Sequence, residues 1–418
     1  MALFHALLYK LAFISFYLLT TMAAVHGRLP PLLAGSSRGF FGLFDPSLTP
    51  PQGGICAGSI APLGYKCQEF EVKTEDGYIL SMQRIPYGRV GGGQQNRQPV
   101  LIQHGVLVDG TTWFLNGVEE NLPCILADNG FDVWIANTRG TRFSRKHVSL
   151  DSNRPAYWNW SWDELVAYDL PAAFNFVYSQ TGHNIHYVGH SLGTLIALAS
   201  LSEGRLVDQL KSAALLSPVA YLSHMTTALG AVAARAFVGE ITTGIGIAEF
   251  NPKGQAVSNF LKALCKLPGI DCYDLMSAIT GKNCCLNAST VELFLQNEPQ
   301  STSTKNMIHL AQTVRTGVLA KFNYGRADYN LQHYGDARPP IYNLSNIPHD
   351  LPLFLSYGGK DALSDAIDVG TLLDYLKLHD LDKLQVQFIK DYAHADFIMG
   401  VNAKDLVYND IVKFFNRW

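Results

Sequence analysis

Ser191 stands at the centre of Gly189-His190-Ser191-Leu192-Gly193, directly after the apolar run Ile185 to Val188. Glycine two residues either side of a serine, between a strand and a helix, is the pattern of a nucleophile elbow. The turn is tight enough to exclude side chains at its flanks, and it holds the serine in a strained conformation costing about 1–3 kcal/mol. A chain with 36 glycines also produces this pentapeptide as a plain turn, so the partners decide between the two. A serine hydroxyl is a weak nucleophile at neutral pH and needs a base, normally an imidazole oriented by a carboxylate. In this arrangement the acid follows the serine along the chain and the histidine comes last. Asp361 lies in "GGKDAL" after the apolar run from Leu351, and His394 lies in "DYAHADF" after the run from Leu384. Both follow the C-terminal ends of expected strands, where sites form in sheets of this kind. Ser191, Asp361 and His394 are therefore the candidate catalytic residues.

Three nearby groups compete for these roles. Asp365 is better suited to capping the next helix, Asp396 to stabilising the start of the helix after His394, and His190, within the turn, to packing. Acyl transfer also requires amide donors for a developing oxyanion. One candidate is the backbone amide of Leu192, at a helix N-terminus. The other is that of Val106 in "QHGVLVDGTTW", where His104-Gly105 turns the chain sharply, with Leu107 as the fallback.

The elements that must position these residues are legible in the hydropathy pattern. Residues 69–85 alternate on both sides of Asp76-Gly77, the signal of a β-hairpin. Short apolar runs follow at Pro99 to Gln103, Phe131 to Ala136, Ile185 to Val188 and from Ala213. Between the second and third of them Ser161 to Glu164 form a capping box, and Pro171 interrupts the helix that box begins. Strands thus alternate with helices, which implies a mostly parallel sheet wrapped by helices. The rhythm stops near Pro218 and resumes at Leu351, with a helix near Val369 to Leu378 and a closing amphipathic helix carrying Leu406, Ile411, Phe414 and Phe415. The expected organisation is a signal peptide over 1–27, an α/β core over 28–218, a mainly helical insertion over 219–346, and the rest of the core over 347–418.

Composition limits what such a chain does. At 418 residues, 48% hydrophobic and 16% charged, it has ample material for a core, and a net charge of -3 without a basic cluster argues against a nucleic-acid partner. The first residues carry Lys10, an apolar run from Leu11 to Ala24, and small residues at Val25 and Gly27, the plan of a cleaved secretory signal. An uncleaved anchor helix is the rival, but the run after Lys10 is shorter than the roughly 20 residues a span needs. Export makes disulfides expected among seven cysteines, with one left over. Cys56 with Cys67 and Cys265 with Cys272 are nearest in sequence, although spacing does not fix connectivity. Cys284-Cys285 has no histidine at ligand spacing, so no zinc site is expected, and no motif calls for a cofactor. The sequons at Asn159, Asn287 and Asn343 are candidate glycosylation sites.

Taken together, "VKTEDGYILSMQRIPYG", "QHGVL", "FDVWIANTRG", "WDELVAYDLPAAFNFV", "HYVGHSLG", "GGKDALSD" and "HADFIMG" resemble the eukaryotic acid lipase family, which includes gastric and lysosomal lipases, and most of all its plant triacylglycerol lipase 2-like members. The resemblance runs from about Gly64 to the C-terminus. It implies an α/β-hydrolase fold, with the nucleophile on Ser191, the acid on Asp361, the base on His394 and the oxyanion amides on Val106 and Leu192. It also implies that the insertion is a cap, part of it a lid, of which the apolar stretch from Met225 to Phe250 is a candidate. The expected function is a secreted lipase, with a vacuole or lysosome-like compartment as the alternative location, that cleaves long-chain acyl esters, triacylglycerols or sterol esters, at a lipid–water interface and with no obligate protein partner. An esterase or acyltransferase for soluble or specialised esters is the alternative. A hydrolase-fold binding protein is disfavoured, because such proteins tend to lose a catalytic residue and all three are present here.

Overall fold

A computed structural model describes residues 53–90, 96–227, 246–254 and 275–418. The expected signal peptide, Cys265, Cys272 and the centre of the candidate lid lie outside the described residues. Eleven strands are present among them: β1 (Gln68–Lys73), β2 (Tyr78–Ile85), β3 (Pro99–Gln103), β4 (Asp132–Ala136), β5 (Lys146–His147), β6 (Ile185–His190), β7 (Leu210–Leu216), β8 (Glu249–Phe250), β9 (Thr302–Ser303), β10 (Leu353–Gly358) and β11 (Leu384–Ile389).

The main sheet has the order β1-β2-β4-β3-β6-β7-β10-β11, with β5 added beside β2. The hairpin β1–β2 is antiparallel and turns at Gly77, whose φ of 97° suits a residue without Cβ. From β4 onward the pairings β4–β3, β3–β6, β6–β7, β7–β10 and β10–β11 are all parallel. The loops after β3, β6, β10 and β11 therefore leave the same edge of the sheet.

Strands covered on both faces read as continuous apolar runs, and here successive residues part into two cores. Leu101, Trp134, Tyr187 and Leu355 face one side with the helix Leu192–Ser202. Val100, Ile135, Val188 and Phe354 face the other, packed by Ile411, Phe414 and Phe415 of the closing helix Asn409–Arg417. Leu406 departs from expectation: it lies in a π-helical turn, Lys404–Tyr408, just before that helix, and is exposed. β6 also runs two residues further than its apolar pattern, through Gly189 to His190.

The capping box forms as its sequence dictates, Ser161 Oγ accepting from the Asp163 amide and Glu164 Oε2 from the Ser161 amide. Pro171 sits in the first turn of the helix Leu170–Thr181, preceded by a π-turn over Leu165–Asp169. The widened turn accommodates a ring that removes one i to i−4 hydrogen bond. Across the sheet edge, buried Arg139 joins three elements. Its guanidinium donates to Asp76 in the hairpin turn and to Asp169 in the π-turn, and lies 3.8 Å from the centroid of the Tyr78 ring.

Between Pro218 and Leu351 the described residues include four helices, Leu275–Thr280, Ala288–Asn297, Thr304–Thr316 and Ala327–Tyr334, joined by long irregular stretches. The antiparallel pair β8–β9 is the addition that composition did not signal. Among the described residues no helix is long and apolar enough to cross a membrane.

Candidate active site

Ser191 occupies the turn between β6 and the helix Leu192–Ser202 with φ 55° and ψ −117°, a region that L-residues rarely adopt. The flanking glycines explain how the turn closes. A Cβ on Gly189 would lie 2.8 Å from the Gly193 carbonyl, and one on Gly193 would lie 2.6 Å from the Gln103 carbonyl oxygen. Neither carbonyl can yield without moving a strand or helix end. The turn is held from the adjacent strand as well, since the Ser191 amide donates to the Leu216 carbonyl at 3.2 Å.

Asp361 and His394 meet. His394 Nδ1 lies 2.9 Å from Asp361 Oδ2 and 3.1 Å from Oδ1, and both residues are buried. A carboxylate only accepts, so Nδ1 carries a proton and Nε2 is the nitrogen turned away from Asp361. Asp361 Oδ1 also accepts from the amides of Leu363 at 2.9 Å and Ser364 at 2.8 Å, which fix the carboxylate before the histidine meets it.

The neighbour of the serine links it to this pair. His190 Nε2 donates to the His394 carbonyl at 3.0 Å, and the two rings have centroids 4.7 Å apart. Burial, with the nearby His394, holds the His190 imidazole well below its usual pKa, so it is a neutral packing group, as expected from its position within the turn. Asp365 caps the helix Ala366–Tyr375 through the Ile367 amide, also as expected. Asp396 does more than stabilise the helix it begins. Its carboxylate accepts from the amides of Ala393, Cys284 and Cys285, joining the His394 loop to the insertion. Thr280 of the insertion completes the link, its carbonyl accepting from the His394 amide at 3.1 Å and the Ala362 amide at 3.4 Å.

On the opposite side, the chain after β3 passes directly over the serine. A Cβ on Gly105 would come within 3.0 Å of Ser191 Cβ and 3.4 Å of its Oγ. A side chain at 105 would have to displace the serine by a few tenths of an ångström. His104 braces the loop: buried and held below its usual pKa by desolvation, it donates from Nδ1 to the Gly105 carbonyl and accepts at Nε2 from the Thr138 amide. Val106 follows, half-buried, and Leu107 turns with φ 61°. Leu192, buried, opens the helix after Ser191, so its amide is among those with no partner inside the helix.

Cys56 and Cys67 are joined, as are the adjacent Cys284 and Cys285, while Cys124 is a buried thiol. The ligand atoms of Cys284, Cys285 and Asp396 lie within 4.8 Å of one another, but the sulfurs are bonded to each other and the carboxylate is occupied by three amides. The disulfide leaves no thiolate here to ligate a metal ion. Asn159, Asn287 and Asn343 are all exposed.

Comparison with known proteins places this arrangement in a lineage. A family described as "alpha/beta hydrolase fold" matches residues 98–401, and a "partial alpha/beta-hydrolase lipase region" matches residues 56–117. Triacylglycerol lipase 2 of Arabidopsis thaliana is 64% identical over 388 residues, 91% of this chain and 92% of that protein. The human gastric triacylglycerol lipase is 34% identical, over 96% of this chain and 99% of the other. Human lysosomal acid lipase/cholesteryl ester hydrolase is 35% identical, over 85% and 89%. Among solved structures, a soluble variant of the Saccharomyces cerevisiae monoglyceride lipase superposes with a TM-score of 0.52 at 15% identity, covering 84% of this chain and 96% of that one, which speaks for the fold alone. The chain belongs to the lipase family of α/β hydrolases and is a carboxylic ester hydrolase.

Proposed function

We propose that the protein is a secreted serine lipase that hydrolyses esters of long acyl chains, triacylglycerols or sterol esters, through an acyl-enzyme on Ser191. The observation that carries the mechanism is the buried Asp361–His394 pair, bonded through the His394 carbonyl to His190, the neighbour of a serine held at φ 55°. Ser191 Oγ attacks the ester carbonyl carbon while His394 Nε2 takes its proton, and Asp361 stabilises the imidazolium that results. The carbonyl electron pair moves onto oxygen, where the amides of Val106 and Leu192 receive the charge. Collapse of the tetrahedral adduct breaks the bond to the alcohol oxygen, which leaves with the proton from His394. Water then repeats the sequence on the acyl-serine and releases the fatty acid.

The substrate class is supported by the relatives, whose names include triacylglycerol and cholesteryl ester hydrolysis. Residues 219–346 act in this reading as a cap over the site, with the apolar stretch from Met225 to Phe250 as the lipid-facing lid. Residues 1–27 act as a cleaved signal, and Asn159, Asn287 and Asn343 as glycosylation sites. The test has two parts. Ser191→Ala, folded as judged by its melting curve, abolishes ester hydrolysis, and retained activity would sink the mechanism. Triolein emulsion is hydrolysed in preference to short soluble esters; a profile that peaks at the shortest chain and ignores the interface assigns an esterase instead.

A further inference from the structure

A buried acid from the insertion underlies the loop that follows β3. Glu298 is fully buried, and its Oε1 accepts from the Asp109 amide at 3.2 Å and from Thr112 Oγ at 2.9 Å. Two residues on, the Gln300 amide donates to the Leu107 carbonyl at 2.7 Å, and Gln300 Oε1 accepts from the Arg142 amide. One short segment of the insertion thus grips both ends of Leu107 to Asp109, immediately beyond Val106. Thr112 belongs to the 3-10 helix Gly110–Phe114, and the next residue, Trp113, meets the His190 ring edge-on at 6.4 Å. Through that helix the grip reaches the elbow.

We propose that Glu298 is a positioning residue for the loop that carries the Val106 amide, and that it holds this loop only as the neutral acid. This rests on the assignment of Val106 as an oxyanion donor. The charges around it make the protonation state decisive. Asp109 lies on the loop, Arg142 follows β4 and is paired with Asp109 at 2.7 Å, and Lys253 follows β8 and donates to the Asn297 carbonyl. Arg142 is therefore committed to Asp109, and Lys253 to a carbonyl. Glu298 Oε2 is buried with no hydrogen-bond partner, the most costly place for a carboxylate charge. Burial first, and the Asp109 charge second, raise the Glu298 carboxyl well above the usual carboxylate range, with Arg142 opposing.

An acid whose pKa is higher folded than unfolded binds more protons in the native state, so its contribution to stability falls as pH rises between the two values. Loss of the proton places a second carboxylate beside Asp109, facing Arg142 and Lys253, which already have other partners, and leaves its charge on an Oε2 with no hydrogen-bond partner. Stability should therefore decline as pH rises from the usual carboxylate range to about 8, and activity should decline as Glu298 ionises around that upper value.

The experiment compares wild type, Glu298→Gln and Glu298→Ala by kcat and KM on a soluble ester and by melting temperature, each from acidic to alkaline pH. Glu298→Ala should lower kcat at least tenfold with KM nearly unchanged, and Glu298→Gln should recover most of that loss. The glutamine variant should also keep activity at alkaline pH where wild type loses it. Its melting temperature relative to wild type should rise with pH. Identical pH profiles for wild type and the glutamine variant, in both kcat and melting, overturn the proposal. Melting reports on Glu298 without turnover, so a wild type that cleaves no ester but shows the pH-dependent gap refutes the oxyanion assignment and leaves the titration of Glu298 established.

Discussion

Asp361 is fixed by more than its histidine. The two amide donors from Leu363 and Ser364 set the carboxylate in place, and the imidazole then has one orientation in which Nδ1 is satisfied. An amide in that position can still accept from those backbone groups, but its other face presents a donor to Nδ1. The tautomer inverts, and the nitrogen left facing the substrate carries a proton it cannot exchange for another. Asp361→Asn is therefore expected to fold normally and to lose about 10⁴-fold in kcat. Steady-state kinetics on a soluble ester, with the melting temperature as control, measures this. A loss below tenfold would show that His394 is oriented by something else. At this scale the sequence carried a great deal, because chain order and the strand preceding each residue are local signals. What it did not carry was His190 as the link to the His394 carbonyl, or Asp396 as an acceptor for three amides. Those roles depend on partners 204 and 112 residues away, and no spacing rule encodes such distances.

At the scale of elements, the turn at Ser191 closes because neither flanking glycine carries a Cβ, which on either would come within 2.8 Å of a carbonyl. Gly193 is the tighter of the two flanking positions. An added Cβ there meets the backbone oxygens of Gln103 at 2.6 Å and His104 at 3.1 Å, so the residue also sets the distance between the helix and the loop after β3. Gly193→Ala should cost about 1–3 kcal/mol of stability, read by thermal or urea unfolding, because the clash is with main chain and no rotamer relieves it. The same substitution pushes the serine away from the Val106 loop, so activity should fall by more than the stability change predicts. The core strands were legible from their apolar runs, which is what burial on both faces produces. Boundaries were less so. β6 extends through Gly189 and His190, residues whose propensities oppose a strand but which the ladder to β7 holds in register. The β8–β9 pair, two residues in each strand, was invisible because it has too few positions to show alternation.

Across the whole molecule, residues from 280 to 286 are joined to both loops that carry Asp361 and His394. The Thr280 carbonyl receives the amides of His394 and Ala362, the Val401 amide donates to the Cys285 carbonyl, and Leu286 bridges to Gly400. Asp396 is the hub of this seam, with its carboxylate shared between Ala393 on the His394 loop and the adjacent, disulfide-joined Cys284 and Cys285. Three amides converge on two acceptor oxygens. Asparagine has only one acceptor oxygen, and its amide group turns a donor toward donors. Each buried donor left unmade costs about 1–3 kcal/mol, and the strain falls on the turn that positions His394. Asp396→Asn should accordingly lower kcat with a small change in KM, while the serine still reacts with an organophosphate probe more slowly than in wild type. Hydrogen exchange discriminates this from general destabilisation. Amides 284, 285 and 393 should lose protection while those of β3 and β6 keep theirs. Uniform loss across the sheet would mean that Asp396 serves the fold as a whole, and that the insertion does not tune the base through this seam.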